Sequence, residues 1–191
     1  AKKIAQHYSY SYLDTGKLYR AVAYNVLKNQ LDENNIEQVA EAATKISEQD
    51  LKSPELNNEE VGKIASIVAS YKLVRANLHQ FQHDFVAEHK EPGVVLDGRD
   101  TGSVICPEAE VKFFIDADLD VRAERRVKQL LDYGKVADFV EIKQQLNLRD
   151  ERDKNRKTSP LVIPDNATII DSSLLNIEEV MKKAVETIDS C

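Results

Sequence analysis

The chain has 191 residues, 42% of them hydrophobic, which is enough to bury the core of one domain. Charged residues make up 31% and the formal net charge is -7, a balance that argues against broad binding to a nucleic-acid polymer but leaves room for a small basic pocket. No apolar run approaches the roughly 20 residues that a membrane span needs.

In chain order, residues 1–7 read as the tail of a helix and 9–13 as a short strand. Asp14, Thr15 and Gly16 supply turn and N-cap residues for a helix over 17–29. A helix over 36–46 puts Ile36, Val39, Ala40, Ala43 and Ile46 on one face. Residues 47–58 are polar, hold Pro54 and read as a loop. Helices over 59–69 and 72–89 follow, the second stopped by Glu91-Pro92-Gly93. On it His79 and His83 stand one turn apart; with no glutamate between them in the HExxH manner, they read as a solvated face rather than a metal pair.

Residues 94–96, 111–115 and 167–170 are apolar runs without alternation, as in strands buried on both faces of a parallel sheet. Helices over 119–133 and 138–152 lie between them. A last helix over 176–188 has Asn176 as its cap and Glu178 and Glu179 in its first turn, where the helix dipole favours them. The alternation predicts an α/β fold with a mostly parallel sheet. Cys106 and Cys191 match no zinc spacing, and the chain reads as a cytoplasmic protein with free thiols.

Three short segments carry more polar chemistry than a surface needs. Asp97-Gly98-Arg99-Asp100-Thr101-Gly102 follows a strand, and ligands of open α/β sheets bind beyond the carboxyl ends of strands. Its glycines allow a sharp turn and close approach, and its arginine can fork onto a phosphate. The second segment runs from Arg149 to Arg156, where helical spacing puts Arg149, Arg152, Asp153 and Arg156 on one face. In the third, Leu13-Asp14-Thr15-Gly16 with Tyr19-Arg20 opens a helix, and helix N-termini attract anions. Taken singly, these are an ordinary turn, a solvated charged helix and a plain N-cap. Together they supply arginines for a phosphate, carboxylates for ribose hydroxyls and small polar groups for a base edge, which is what phosphoryl transfer to a nucleotide asks for.

These segments resemble the cytidylate kinase family of nucleoside monophosphate kinases. The likeness rests on LDTGKLYR (residues 13–20), EEVGKIAS with a following VR (59–66 and 74–75), DGRDTGSVICPEAEVKFFIDA (97–117), RDERDKNR (149–156) and PLVIPDNATIIDSS (160–173), in the family's order. It implies a P-loop-kinase-like parallel sheet flanked by helices. A core of 1–14 and 91–191, a helical substrate-binding insertion over about 15–90 and a lid over about 134–157 would make one domain.

By the resemblance, Thr15, Arg20, Arg99 and Arg156 contact the phosphate of CMP or dCMP, and Tyr19, Arg149 and Asp153 hold the sugar. Ser66, Arg75 and Asp100 read the cytosine, and Arg125 and Arg126 meet ATP. Arg99, Arg126 and Arg156 are the catalytic candidates. Asp97 stands in the Walker-B-like position, where it helps organise Mg²⁺ through water. The expected reaction is phosphoryl transfer from ATP to CMP or dCMP by a monomer, with no polymer and no membrane as partner.

One feature of the family has no counterpart in these residues. Its opening strand and GxxxxGK loop cradle the ATP phosphates, whereas the first glycine here is Gly16 and Lys2-Lys3 follow no glycine loop. The expectation is a parent protein that carries the loop. The rival readings are a UMP-type kinase of the same architecture, a CMP-binding sensor without catalysis and, more remotely, an RNA-binding module.

Overall fold

Asp14 ends a strand and begins a helix, and that double role sets the geometry of the first half of the chain. The computed structural model describes all 191 residues, Ala1 to Cys191. A short helix α1 (Lys2–Tyr8) closes on Ser9 in the left-handed conformation, with φ 58°. It leads into β1 (Ser11–Asp14) and α2 (Thr15–Lys28), whose first turn Asp14 caps by accepting from the Lys17 N–H. Asn35 caps α3 (Ile36–Thr44) in the same way. The segment expected to be a loop holds two 3₁₀ turns, Asp50–Lys52 and Pro54–Asn57. Helices α4 (Glu59–Val68) and α5 (Lys72–Glu88) follow, and then β2 (Val94–Asp97).

β1 and β2 pair in parallel with Ser11 opposite Val94, Leu13 opposite Leu96 and Asp14 opposite Asp97. The run α2–α5 therefore leaves one strand end and returns to the strand beside it. The core of this part is made by Leu18, Val22 and Val26 of α2, Val39 of α3, Val68 of α4 and Val74 and Leu78 of α5, with Leu13 of β1. Each such side chain contributes on the order of 1.5–3 kcal/mol when withdrawn from water.

The chain divides into two compact units, Ala1–Thr101 and Gly102–Cys191. In the second, β3 (Phe113–Asp116) and β4 (Thr168–Asp171) pair in parallel, with Phe113 opposite Thr168 and Asp116 opposite Asp171. Between them lie α6 (Leu119–Asp132) and α7 (Phe139–Asn155), and α8 (Ile177–Ile188) follows β4. Arg122 of α6 pairs with Asp150 of α7 at 2.7 Å, and Lys143 of α7 pairs with Asp120 of α6. A reciprocal capping box, Asn176 with Glu179, starts α8.

Burial in this unit is sparse. Ile105, Ala123, Ile170 and Ala184 are buried, while Ile115 and Ile169 are 51% and 57% exposed. The expectation of strands covered on both faces is thus corrected for β3 and β4. Their apolar runs accompany parallel pairing, but the sheet is only two strands wide, and Ile115 and Ile169, which point to opposite faces, are both left exposed. No helix is long and apolar enough to cross a membrane. The architecture is α/β, with parallel strand pairs flanked by helices.

Candidate functional site

In the first unit the site residues gather where β1 and β2 end. The turn after β2 passes against the start of α2: the Thr15 hydroxyl donates to the Asp97 carbonyl at 3.0 Å. A Cβ on Gly98 would stand 2.1 Å from Thr15 Oγ1 and 2.9 Å from Thr101 Cγ2. The close approach that demands glycine at 98 is therefore made by the protein's own Thr15, which is buried.

Asp14 and Asp97 end neighbouring strands in register. Burial first, and then the charge of Asp97, push the Asp14 carboxyl above the usual aspartate range. Tyr12 donates its hydroxyl to Asp97 Oδ2 at 3.2 Å. Burial, followed by the charges of Asp97 and Asp14, raises that phenol well above its ordinary value. Two hard oxygen donors that repel one another fit a hard divalent cation, which would relieve the repulsion. The sequence reading gave Asp14 no more than a capping role. The signal was present, since Leu13-Asp14 and Leu96-Asp97 are the same dipeptide at two strand ends.

Arg20 projects from α2 toward α4. Its Nη1 donates to the Leu56 carbonyl at 2.7 Å and to that of Asn58 at 3.4 Å. Gly62 of α4 makes room for it, because a Cβ there would lie 3.1 Å from Arg20 Nη2 and 3.3 Å from Nη1. Ser66, one turn further along α4, is half-buried.

Arg75 and Asp100 are the most enclosed polar pair. Arg75 is 1% exposed and Asp100 4%. Arg75 Nη2 donates to Asp100 Oδ2 at 2.5 Å, and Nη1 donates to the Ala69 carbonyl at 2.9 Å. The guanidinium lies over the Tyr19 ring, with Cζ 5.2 Å from its centroid. A buried pair of this kind adds little net stability, but losing one partner strands a charge. Arg99, beside Asp100, is exposed.

His79 departs from the solvated face expected of it. It is half-buried, and its Nε2 lies 3.7 Å from Asp100 Oδ2, while His83 is exposed.

The second unit groups the other candidates. Asp153 of α7 stands between two arginines, with Oδ2 3.8 Å from Arg149 Nε and Oδ1 3.6 Å from Arg156 Nη1. Arg156 is the residue just past α7, extended at ψ 141°, and its Nε donates to the Ser159 carbonyl at 2.5 Å. Arg152, expected on the same face, is exposed. On α6, Arg125 grips the chain after β4: Nη2 donates to the Ser172 carbonyl at 2.6 Å and to that of Leu175 at 3.1 Å, and Nη1 reaches Ser172 Oγ at 3.2 Å. Arg126 Nη1 donates to Gln129 Oε1 at 2.6 Å.

Comparison with known proteins gives this geometry a family. A family model described as cytidylate kinase matches residues 1–190. Cytidylate kinase of Rhodopseudomonas palustris strain BisB18 is 41% identical over 189 residues, covering 99% of this chain and 88% of that protein. Its counterpart in Rhodopseudomonas palustris strain ATCC BAA-98 / CGA009 is 42% identical over 190 residues, covering 100% and 89%. The cytidylate kinase of Bartonella bacilliformis is 42% identical over 189 residues, covering 99% and 87%. The chain belongs to the cytidylate kinase family.

Proposed function

We propose that this chain moves the γ-phosphoryl group of ATP to CMP or dCMP, giving ADP and CDP or dCDP. The family supports the reaction and the donor. The observation that carries the choice of acceptor is the buried Arg75–Asp100 pair. Cytosine offers an amine donor at C4 and acceptors at N3 and O2. A carboxylate takes the first, and a guanidinium serves the others. Uracil sets a carbonyl against the carboxylate, which leaves buried acceptors facing one another.

In the reaction, an oxygen of the CMP phosphate attacks the γ-phosphorus of ATP. A bond forms to that oxygen, the bond from the γ-phosphorus to the bridging oxygen breaks, and the electron pair leaves with ADP. The phosphate of CMP is largely dianionic at neutral pH, so no side chain need remove a proton first. What remains for the protein is positioning and charge. Arg20 and Arg99, with Thr15 at the start of α2, serve the phosphate of CMP, as does Arg156. Tyr19, Arg149 and Asp153 serve the sugar, and Ser66 stands with Arg75 and Asp100 at the base. Arg125 and Arg126 serve ATP, Arg126 through charge on the transferred group. Magnesium suits Asp97, with Asp14 beside it, and supplies charge neutralisation for the polyphosphate.

The pairing of β1 with β2 supports residues 15–90 as the substrate-binding insertion of a core made by 1–14 and 91–191. The turn between α6 and α7, where Val136 is 100% exposed, supports a lid over about 134–157 that shuts water out. A monomer acting on free nucleotides of the cytoplasm fits this chemistry.

A panel of monophosphates tests the proposal. CMP and dCMP should turn over fastest, and faster turnover of UMP would overturn the choice of base. Calorimetry with CMP and with ATP addresses the sensor alternative, which requires binding of CMP alone.

A further inference from the structure

His79 stands one helical turn beyond Arg75 on α5, so the two side chains share a face. Both converge on one atom. Asp100 Oδ2 accepts from Arg75 at 2.5 Å and has His79 Nε2 at 3.7 Å. That nitrogen is buried and has no hydrogen-bond partner, although the ring as a whole is 23% exposed. The separation is too long for a hydrogen bond. A buried ring nitrogen left this way is costly unless another state of the protein satisfies it.

We propose that His79 is a positioning residue for Asp100: its Nε2–H holds Oδ2 of the carboxylate when the base is bound, and so sets the preference for cytosine over uracil. The inference rests on the reading of Asp100 as the acceptor for the cytosine amine. It follows from what Arg75 must do. A guanidinium that turns some of its N–H groups to the base relaxes its grip on Asp100, and His79 is the donor already placed beside the same oxygen. A donor aimed at Oδ2 fixes how the carboxylate faces the base, and a carboxylate only accepts, so it suits the cytosine amine and not the uracil carbonyl. The anchor therefore acts on discrimination through Asp100 without touching the nucleotide.

The test compares the parent with His79→Leu, His79→Gln and Asp100→Asn, measuring CMP and UMP binding by calorimetry and KM and kcat for both. Leucine is a good helix former, so His79→Leu should keep α5, and its melting temperature is checked against the parent's. In His79→Leu, CMP affinity should fall about fivefold while UMP affinity holds, with the loss in KM larger than that in kcat. Glutamine keeps an N–H at similar reach and should restore most of the preference. An unchanged CMP-to-UMP ratio in His79→Leu, or a Gln variant no better than the Leu variant, overturns the role of His79. Should the ratio change in Asp100→Asn but not in His79→Leu, the positioning role alone fails. A ratio unchanged in Asp100→Asn removes the reading of Asp100, and His79 with it.

Discussion

At the scale of single residues, the space around Gly62 links stability to substrate binding. Glycine inside a helix costs about 1 kcal/mol relative to alanine. Yet Gly62 lies under the guanidinium of Arg20, and a methyl group there would stand 3.1 Å from Nη2. The end of a long side chain can yield by tenths of an ångström, so the helix keeps its gain and Arg20 gives way. Gly62→Ala should then melt at or above the temperature of the parent while its KM for CMP rises about threefold. An unchanged KM would take Arg20 out of phosphate binding. The thiols separate in the same local way. Cys191 is exposed, whereas Cys106 is half-buried and its burial pushes the thiol above the ordinary 9.0. Alkylation followed by peptide mass should find Cys191 modified first, with the rate at Cys106 still climbing beyond pH 9.0. Equal rates at neutral pH would contradict the burial of Cys106.

At the scale of elements, the end of β4 shows how a local hydrogen bond becomes pH dependence. Ser173 donates to Asp171 Oδ1 through its hydroxyl at 2.5 Å and its backbone N–H at 2.8 Å, and its oxygen accepts from the Asp118 N–H at 2.8 Å. These bonds favour the ionised carboxylate and hold Asp171 below its ordinary 3.8. A folded-state value below the unfolded one gives stability that is present above pH 3.8 and is lost as pH falls through the folded value. Ser173→Ala should narrow the difference in melting temperature between neutral and acid solution. An acid limb identical to that of the parent would show that the serine does not set it. Element boundaries were largely legible in the sequence, because caps are local: Asp14 and Asn176 announce α2 and α8 in the residues themselves. Pairings across distance were not. The register that sets Asp14 beside Asp97, and the turn of α5 that brings Arg75 to Asp100, depend on packing between segments, which no window of residues contains. The Arg149–Asp153–Arg156 cluster, held within one helix and its end, was legible for the opposite reason. His79 looked solvated because a helical pattern shows which residues share a face but not what packs against it.

Over the whole molecule the distribution of burial dictates where the chain opens. The large aliphatic core lies in the unit Ala1–Thr101, and Leu18, Val22 and Val26 place α2 in the middle of it at 0–1% exposure. In the unit Gly102–Cys191, α7 has no buried residue and is tied to α6 by ion pairs such as Arg122–Asp150, with side chains 31% and 19% exposed. Exposed and half-exposed pairs contribute about 0–1 kcal/mol, far less than a helix face of buried valines and leucines. Opening free energies within one protein range from near zero to the global value, and they follow such differences. Hydrogen exchange should therefore be slowest in α2 and fast through α7 and the turn before it, by several orders of magnitude. Because α7 carries Arg149 and Asp153 and ends at Arg156, saturating CMP should slow exchange in its last two turns by mass action, and leave α2 near its limit. Protection of α7 equal to that of α2 without ligand would refute the burial argument. Exchange in α7 untouched by CMP would instead refute the assignment of Arg149, Asp153 and Arg156 to the nucleotide, so one experiment separates the mobility of the element from its role.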